Sequence, residues 1–253
     1  LRSSLGSAGF DYEIIVVDDA SDDDTSASAE HEGIRVIRHD SNLGYGAALK
    51  TGIRHAQYDI ICITDADGTY PCERIPELVE SMADGHDMVV GSRTGGSVAI
   101  PLVRAPAKWL LARLANYVAG RSIPDLNSGL RVFHKSVCLS MLGLLPDGFS
   151  FTTTMTLAMI TNSYDVKYIP IDYHRRIGKS KIRPIYDTLN FVQLVVRIAL
   201  YFSPLKVFLP LSGSLFVLSI VWAAVSKFVY HQLADVSTLI IALTAVQVAV
   251  IGM

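Results

Sequence analysis

In the stretch ICITDADGTYP (Ile61–Pro71) an apolar run delivers two carboxylates, Asp65 and Asp67, to a turn. Acids so spaced at a strand end suit two chemistries. One carboxylate can attack phosphorus while the other moves a proton and Mg²⁺ offsets the charge. Alternatively, the pair can hold Mg²⁺ or Mn²⁺ against a diphosphate, because these cations take hard oxygen ligands. A second acidic cluster, Asp18-Asp19, closes the β-branched run YEIIVVDD, and a basic one comes much later in HRRIGKSKIR (His174–Arg183).

These groups need a scaffold, and the hydrophobic pattern supplies one. Strand-like runs over residues 12–19, 34–39, 58–64 and 87–92 alternate with helix-like segments over 24–31, 44–56 and 72–83. Such alternation predicts an α/β domain with a mostly parallel sheet and a site at the carboxyl ends of its strands. Both acidic clusters fall at such ends.

Charge is divided along the 253 residues although the formal net charge is only −2. Residues 1–90 hold 18 acids and 6 bases, whereas residues 91–206 hold 5 acids and 15 bases. An acidic half suits a cation, and a basic half suits phosphate or an anionic membrane surface. Nothing implies a nucleic-acid partner. Cys62, Cys72 and Cys138 show neither CxxC pairing nor a His at metal-ligand spacing, which argues against structural zinc or a disulfide framework.

The C-terminal part changes the class of the protein. Val207–Ser226 runs twenty residues without a charge and Val236–Met253 eighteen, lengths that predict two membrane-spanning helices. Arg175, Arg176, Lys179, Lys181, Arg183, Arg197 and Lys206 precede the first span, whereas the loop between spans carries Lys227. That bias puts the globular part on the cytoplasmic face of an integral membrane protein. The segment 184–206 leads into the first span as an amphipathic, interfacial helix, and Pro101–Gly120 could lie on the membrane or simply pack against the domain.

Taken alone, DADGT resembles the motif of haloacid-dehalogenase-type phosphatases, with Asp65 as nucleophile and Asp67 as acid. That resemblance expects an acidic pair on a later strand, and here Asp18-Asp19 comes earlier. More of the chain is similar to glycosyltransferase family 2: YEIIVVDDASDDDT, NLGYGAAL, DADGTYP and VVGSR occur in that order. DLNSGLRVF, DGFSFTTTMTLAMI and HRRIGKSKI, succeeded by apolar helices, narrow the resemblance to the polyprenyl-phosphate branch that includes dolichyl-phosphate mannosyltransferases. It implies a GT-A fold over residues 1–183, the interfacial helix, and a two-helix membrane segment over 207–253. It also expects a first strand ahead of residue 12, so the chain is expected to begin after that strand and to end within the second span.

The resemblance implies an inverting transfer of one sugar from a UDP- or GDP-linked donor to polyprenyl phosphate, with Mg²⁺ or Mn²⁺ as cofactor and room for a homo-oligomer. Asp67 is the implied metal ligand, with Asp65 sharing the metal or touching the ribose. Thr69 stands where relatives often carry glutamine, which puts a third protein ligand in doubt. Asp18 and Asp19 are expected at the base and ribose, or as turn-forming acids. Arg93, Arg131, Arg175 and Lys181 are expected at phosphate or donor, with Ser128 and Ser180 as hydroxyl donors; Asp65, Asp67 and Arg131 form the catalytic set. Gly178 is expected to let the GKSK turn wrap an anion, and the basic run could equally anchor the chain to anionic lipid. Asp125 and Asp147 could orient the acceptor or cap a turn. A membrane-anchored, non-catalytic binder of nucleotide sugars is the alternative from another class.

Overall fold

The computed structural model describes residues 2–23, 27, 29–30, 33–94, 105–174, 196, 200–201, 203–229, 231 and 234–253. The chain divides into two compact units, Leu1–Val195 and Val196–Met253.

In the first unit, α1 (Arg2–Ser7) precedes β1 (Ile14–Asp18), β2 (Ile34–Arg38), α2 (Tyr45–His55) and β3 (Ile60–Ile63). A 3₁₀ turn leads into α3 (Ile75–Glu80), and then come β4 (Met88–Ser92), α4 (Ala105–Ala119), β5 (Arg131–His134), α5 (Lys135–Met141), α6 (Phe151–Thr161) and β6 (Val166–Pro170). The helix expected over residues 24–31 falls largely outside the described residues, as do the interfacial segment 184–195 and most of 196–202.

The expectation of one mostly parallel sheet is corrected. Strands β1 and β2 pair in parallel as a separate two-stranded sheet, with Ile14 opposite Ile34 and Asp18 opposite Arg38. The other four order as β3-β5-β4-β6. Strand β5 runs antiparallel to both β3 and β4, and β4 pairs in parallel with β6. The reason lies in β5, only four residues of the DLNSGLRVF stretch, too short to show a period of its own.

The core forms where these strands meet helices on their faces. All five residues of β4 are buried, and Val89, Leu130, Val132, Ile169 and Ile171 pack with Leu78 and Ile75 of α3. Helix α6 carries no charge and is buried from Phe151 to Ile160. Two of its hydroxyls bond back along the chain, Thr154 to the Ser150 carbonyl and Thr156 to that of Thr152, both at 2.9 Å, while Thr153 donates to Asn127 Oδ1. Helix α4 packs against α6 and buries Ala115 and Val118, as an ordinary packing helix does.

The second unit is a hairpin of α7 (Pro204–Val229) and α8 (Asp235–Ile251). Ser212 Oγ donates to the Ala245 carbonyl at 2.7 Å, and Trp222 Nε1 donates to Ser237 Oγ at 2.8 Å, which fixes an antiparallel pair. Small residues line the contact, including Ser219, Ser226 and Ala245, all buried. Leu209, Val217 and Ile220 point outward and are exposed. Helix α7, at 26 residues, is long and apolar enough to cross a bilayer. Helix α8, at 17 residues, is shorter than that length.

Candidate active site

The two acidic pairs sit at the carboxyl ends of β1 and β3, as the alternation predicted, but they are held differently. Asp18 has a fully buried side chain; its Oδ1 accepts the Ser21 N–H at 2.9 Å and its Oδ2 lies 3.6 Å from Arg38 Nε. Asp19 Oδ1 accepts the Leu43 N–H at 2.9 Å and lies 2.7 Å from His39 Nδ1, while Oδ2 accepts the Gly44 N–H at 2.7 Å. Burial alone would raise the Asp19 pKa, yet His39 and the two amides hold it below the usual carboxylate value. Asp19 therefore anchors the loop ending at Gly44.

By fixing that loop, Asp19 also sets where α2 begins. Gly44 adopts φ +103, a conformation glycine takes without a Cβ penalty. A Cβ on Gly46 would meet the Pro146 carbonyl at 2.2 Å, so only glycine lets α2 approach the 146–149 loop this closely. The Ala47 N–H donates to the Asp147 carbonyl at 3.0 Å, and Lys50 Nζ reaches the Asp147 carboxylate at 2.7 Å. Asp147 thus ties a loop to a helix. Between the glycines, Tyr45 donates its hydroxyl to Asp65 Oδ1 at 3.1 Å and stacks its ring on Phe149, with centroids 5.8 Å apart. Burial first, and the Asp65 charge second, push the Tyr45 hydroxyl pKa upward.

The other acidic turn is oriented from within. Asp67 Oδ1 accepts both the Thr69 hydroxyl, at 2.6 Å, and the Thr69 N–H, at 3.2 Å. Thr69 is buried, so where the resemblance expects glutamine stands a residue that hydrogen-bonds Asp67. Its carbonyl accepts the His174 N–H at 2.9 Å, which fastens the acidic turn to the chain just before the basic run. Arg175, Gly178, Ser180 and Lys181 lie outside the described residues.

Among the described residues no group of three or more His, Cys, Asp and Glu forms a metal cage. The donor chemistry of Asp65 and Asp67 still fits Mg²⁺ or Mn²⁺, which are usually held by one or two carboxylates together with substrate phosphates.

Three residues expected at phosphate or donor have partners within the protein. Arg131 is 0 % exposed, and its guanidinium donates to the carbonyls of Ser128 and Thr152 and to Thr156 Oγ1. Burial lowers its pKa. This buried cation, surrounded by carbonyls, holds the DLNSGLRVF loop against α6. Ser128, also buried, donates to the Gly91 carbonyl at 2.5 Å. Arg93 Nε and Nη2 make a bidentate pair with Asp125 at 2.8 and 2.9 Å, and the guanidinium sits 5.3 Å from the Tyr173 ring centroid. Asp125 is consequently a partner of Arg93.

Tyr45, Lys50, Tyr70 and Phe149 were missed from sequence. Tyr70 accepts the Gly129 N–H at 2.6 Å on its hydroxyl and packs edge-on to Tyr173. The signal for Tyr45 was its place between two glycines.

An α/β domain of mixed sheet, with an oriented acidic turn at a strand end, defines a GT-A-like transferase fold. Residues 1–140 match the model of glycosyl transferase family 2 and residues 203–253 that of the GtrB C-terminal hairpin, and the chain belongs to glycosyl transferase family 2. It is 29 % identical over 187 residues to dolichyl-phosphate hexose transferase of Haloferax volcanii, covering 74 % of this chain and 81 % of that protein. It is likewise 29 % identical to polyprenol monophosphomannose synthase of Mycolicibacterium smegmatis, covering 67 % and 69 %. Glucosyl-3-phosphoglycerate synthase of Mycobacterium tuberculosis, solved with Mn²⁺, UDP-glucose and phosphoglyceric acid, superposes with a TM-score of 0.58 at 21 % identity, over 79 % of this chain and 72 % of that one. The last likeness concerns the fold alone. The family match leaves no place for the phosphatase alternative.

Proposed function

We propose that this family 2 glycosyltransferase moves one sugar from a nucleotide donor to polyprenyl phosphate, with inversion, while the α7–α8 hairpin anchors it with the catalytic unit on the cytoplasmic face. The observation that carries the proposal is the 2.9 Å bond from the His174 N–H to the Thr69 carbonyl, because Thr69 also aims Asp67. One residue thereby joins the acidic turn to the chain that continues into Arg175 and Lys181. The names of the relatives, transferases to dolichyl phosphate and polyprenol phosphate, support the acceptor class.

The chemistry is a single displacement. A phosphate oxygen of the lipid bonds to the anomeric carbon as the bond from that carbon to the nucleoside diphosphate breaks. A phosphate monoester has its second pKa near about 6, so the nucleophile is already anionic near neutrality and no base has to take a proton. A divalent cation held by Asp67 and Asp65 would offset the charge that grows on the leaving diphosphate. The chain's own task is to gather two anions, which Arg175, Lys181 and Ser180 suit by chemistry. Thr69 keeps Asp67 aimed throughout.

The test incubates the full chain in detergent with radiolabelled nucleotide sugars and polyprenyl phosphate, with and without chelator. Labelled lipid, lost on chelation, is the expected result. Donor binding without labelled lipid would overturn the proposal in favour of the non-catalytic binder.

A further inference from the structure

The Asp65 carboxylate is held from two sides. On one side stands the Tyr45 hydroxyl, at 3.1 Å from Oδ1. On the other lies the backbone of Gly129, so close that a Cβ there would come within 2.9 Å of Oδ2 and 3.1 Å of Cγ. Tyr45 is itself placed by two independent constraints. Its backbone continues from Gly44, fastened to Asp19, and its ring stacks at 12° on Phe149, which presents 79 % of its surface to solvent. An aromatic so exposed contributes little to a core, yet here it covers the ring whose hydroxyl reaches the candidate metal carboxylate.

We propose that Tyr45 is a positioning residue for the reaction: its hydroxyl fixes the orientation of Asp65 toward the cation and donor, and Phe149 keeps its ring in place. This rests on the transferase reading. Groups that hold a ligand carboxylate by hydrogen bonds tune metal affinity substantially, and removing one typically costs roughly 10- to 100-fold in affinity or activity. The hydroxyl holds one oxygen, the other lies where only a glycine at position 129 leaves it room, and a carboxylate so placed needs little reordering when the cation arrives. The same tyrosine touches the 146–149 loop, so a disturbance in that loop reaches Asp65 through one ring.

The experiment uses the full chain in detergent and reads Mn²⁺ binding by electron paramagnetic resonance in the presence of UDP and, separately, of GDP. Tyr45→Phe keeps the stacked ring and removes only the hydroxyl. It should weaken Mn²⁺ binding by about tenfold and lower kcat at limiting Mn²⁺, with the melting temperature unchanged. Phe149→Leu should weaken binding by a smaller factor, and Phe149→Tyr should restore it. Mn²⁺ affinity of Tyr45→Phe within about twofold of the parent would overturn the inference while leaving the transferase reading intact. So would weaker binding accompanied by loss of the melting transition, since the hydroxyl would then serve folding. If the parent itself bound no Mn²⁺ with either nucleotide, the metal reading and this inference would fall together.

Discussion

Asp18-Asp19 and Asp65-x-Asp67 look alike in sequence, each an acidic pair closing an apolar strand, yet the structure uses them differently. The first pair binds the protein to itself: Asp19 receives two backbone amides and lies against His39, while Asp18 is buried beside Arg38. The second pair is aimed: a tyrosine hydroxyl meets Asp65, and the hydroxyl and amide of Thr69 meet Asp67. A carboxylate that anchors a loop contributes stability, whereas Asp65 and Asp67 each accept from a neutral hydroxyl. Acid pairs at strand ends therefore divide by the partners they meet, near or distant in the chain, and not by their own spacing.

The largest effect that would test this contrast is Asp67→Ala. Transfer should fall by roughly a thousandfold or more, the scale of losing one electrostatic contributor to a transition state, while the melting temperature stays near that of the parent. Undiminished turnover at saturating Mn²⁺ would break the contrast. Asp19→Ala should behave in the opposite way. It strands the amides of Leu43 and Gly44 and the His39 ring, so stability should drop by about 1–3 kcal/mol, read by thermal or urea unfolding. Turnover per folded molecule should suffer less than in Asp67→Ala. Equal losses of turnover with no change in unfolding would place Asp19 with the chemistry after all.

Much of this was legible in the residues. The β-branched runs ending in acids gave β1 and β3, and the ordered motifs gave the family, because each needs only local pattern. What was illegible depends on distant partners. The motif around Arg131 gives no sign of the carbonyls that enclose it, which include that of Thr152 on α6, a helix later in the chain. Ser128 is consumed by Gly91, at the end of a strand formed much earlier. Tyr45 carried no motif weight, because its meaning arises only when α2 docks on the 146–149 loop. The two helices of the hairpin were plain from composition, as two long uncharged apolar runs.

Gly129→Ala sharpens the aimed side of the comparison. The added methyl meets Asp65 Oδ2 at 2.9 Å and has to displace it. Overpacking of this kind costs about 1–3 kcal/mol, so stability should fall modestly while the apparent Mn²⁺ affinity falls as well. A change in stability alone would mean that Asp65 can move without consequence.

The smallest effect concerns the Arg93–Asp125 pair, which belongs to the anchoring kind. Burial alone would raise the Asp125 pKa, but the bidentate Arg93 and the amides of Arg93 and Asn127 bring it below the ordinary value. A carboxyl with a depressed folded pKa contributes stability that is complete above the unfolded value, near about 4, and is lost as pH falls through the lower folded value. The parent should accordingly lose stability on acidification below about pH 4, and Asp125→Asn should lose less over the same window while starting from a lower stability at neutral pH. Parallel acid-unfolding curves for the two proteins would show that the pair is screened by solvent and contributes nothing. In that case Arg93 would be available to a donor phosphate, and the line between anchoring and aimed groups would have to be redrawn on the basic side of the site.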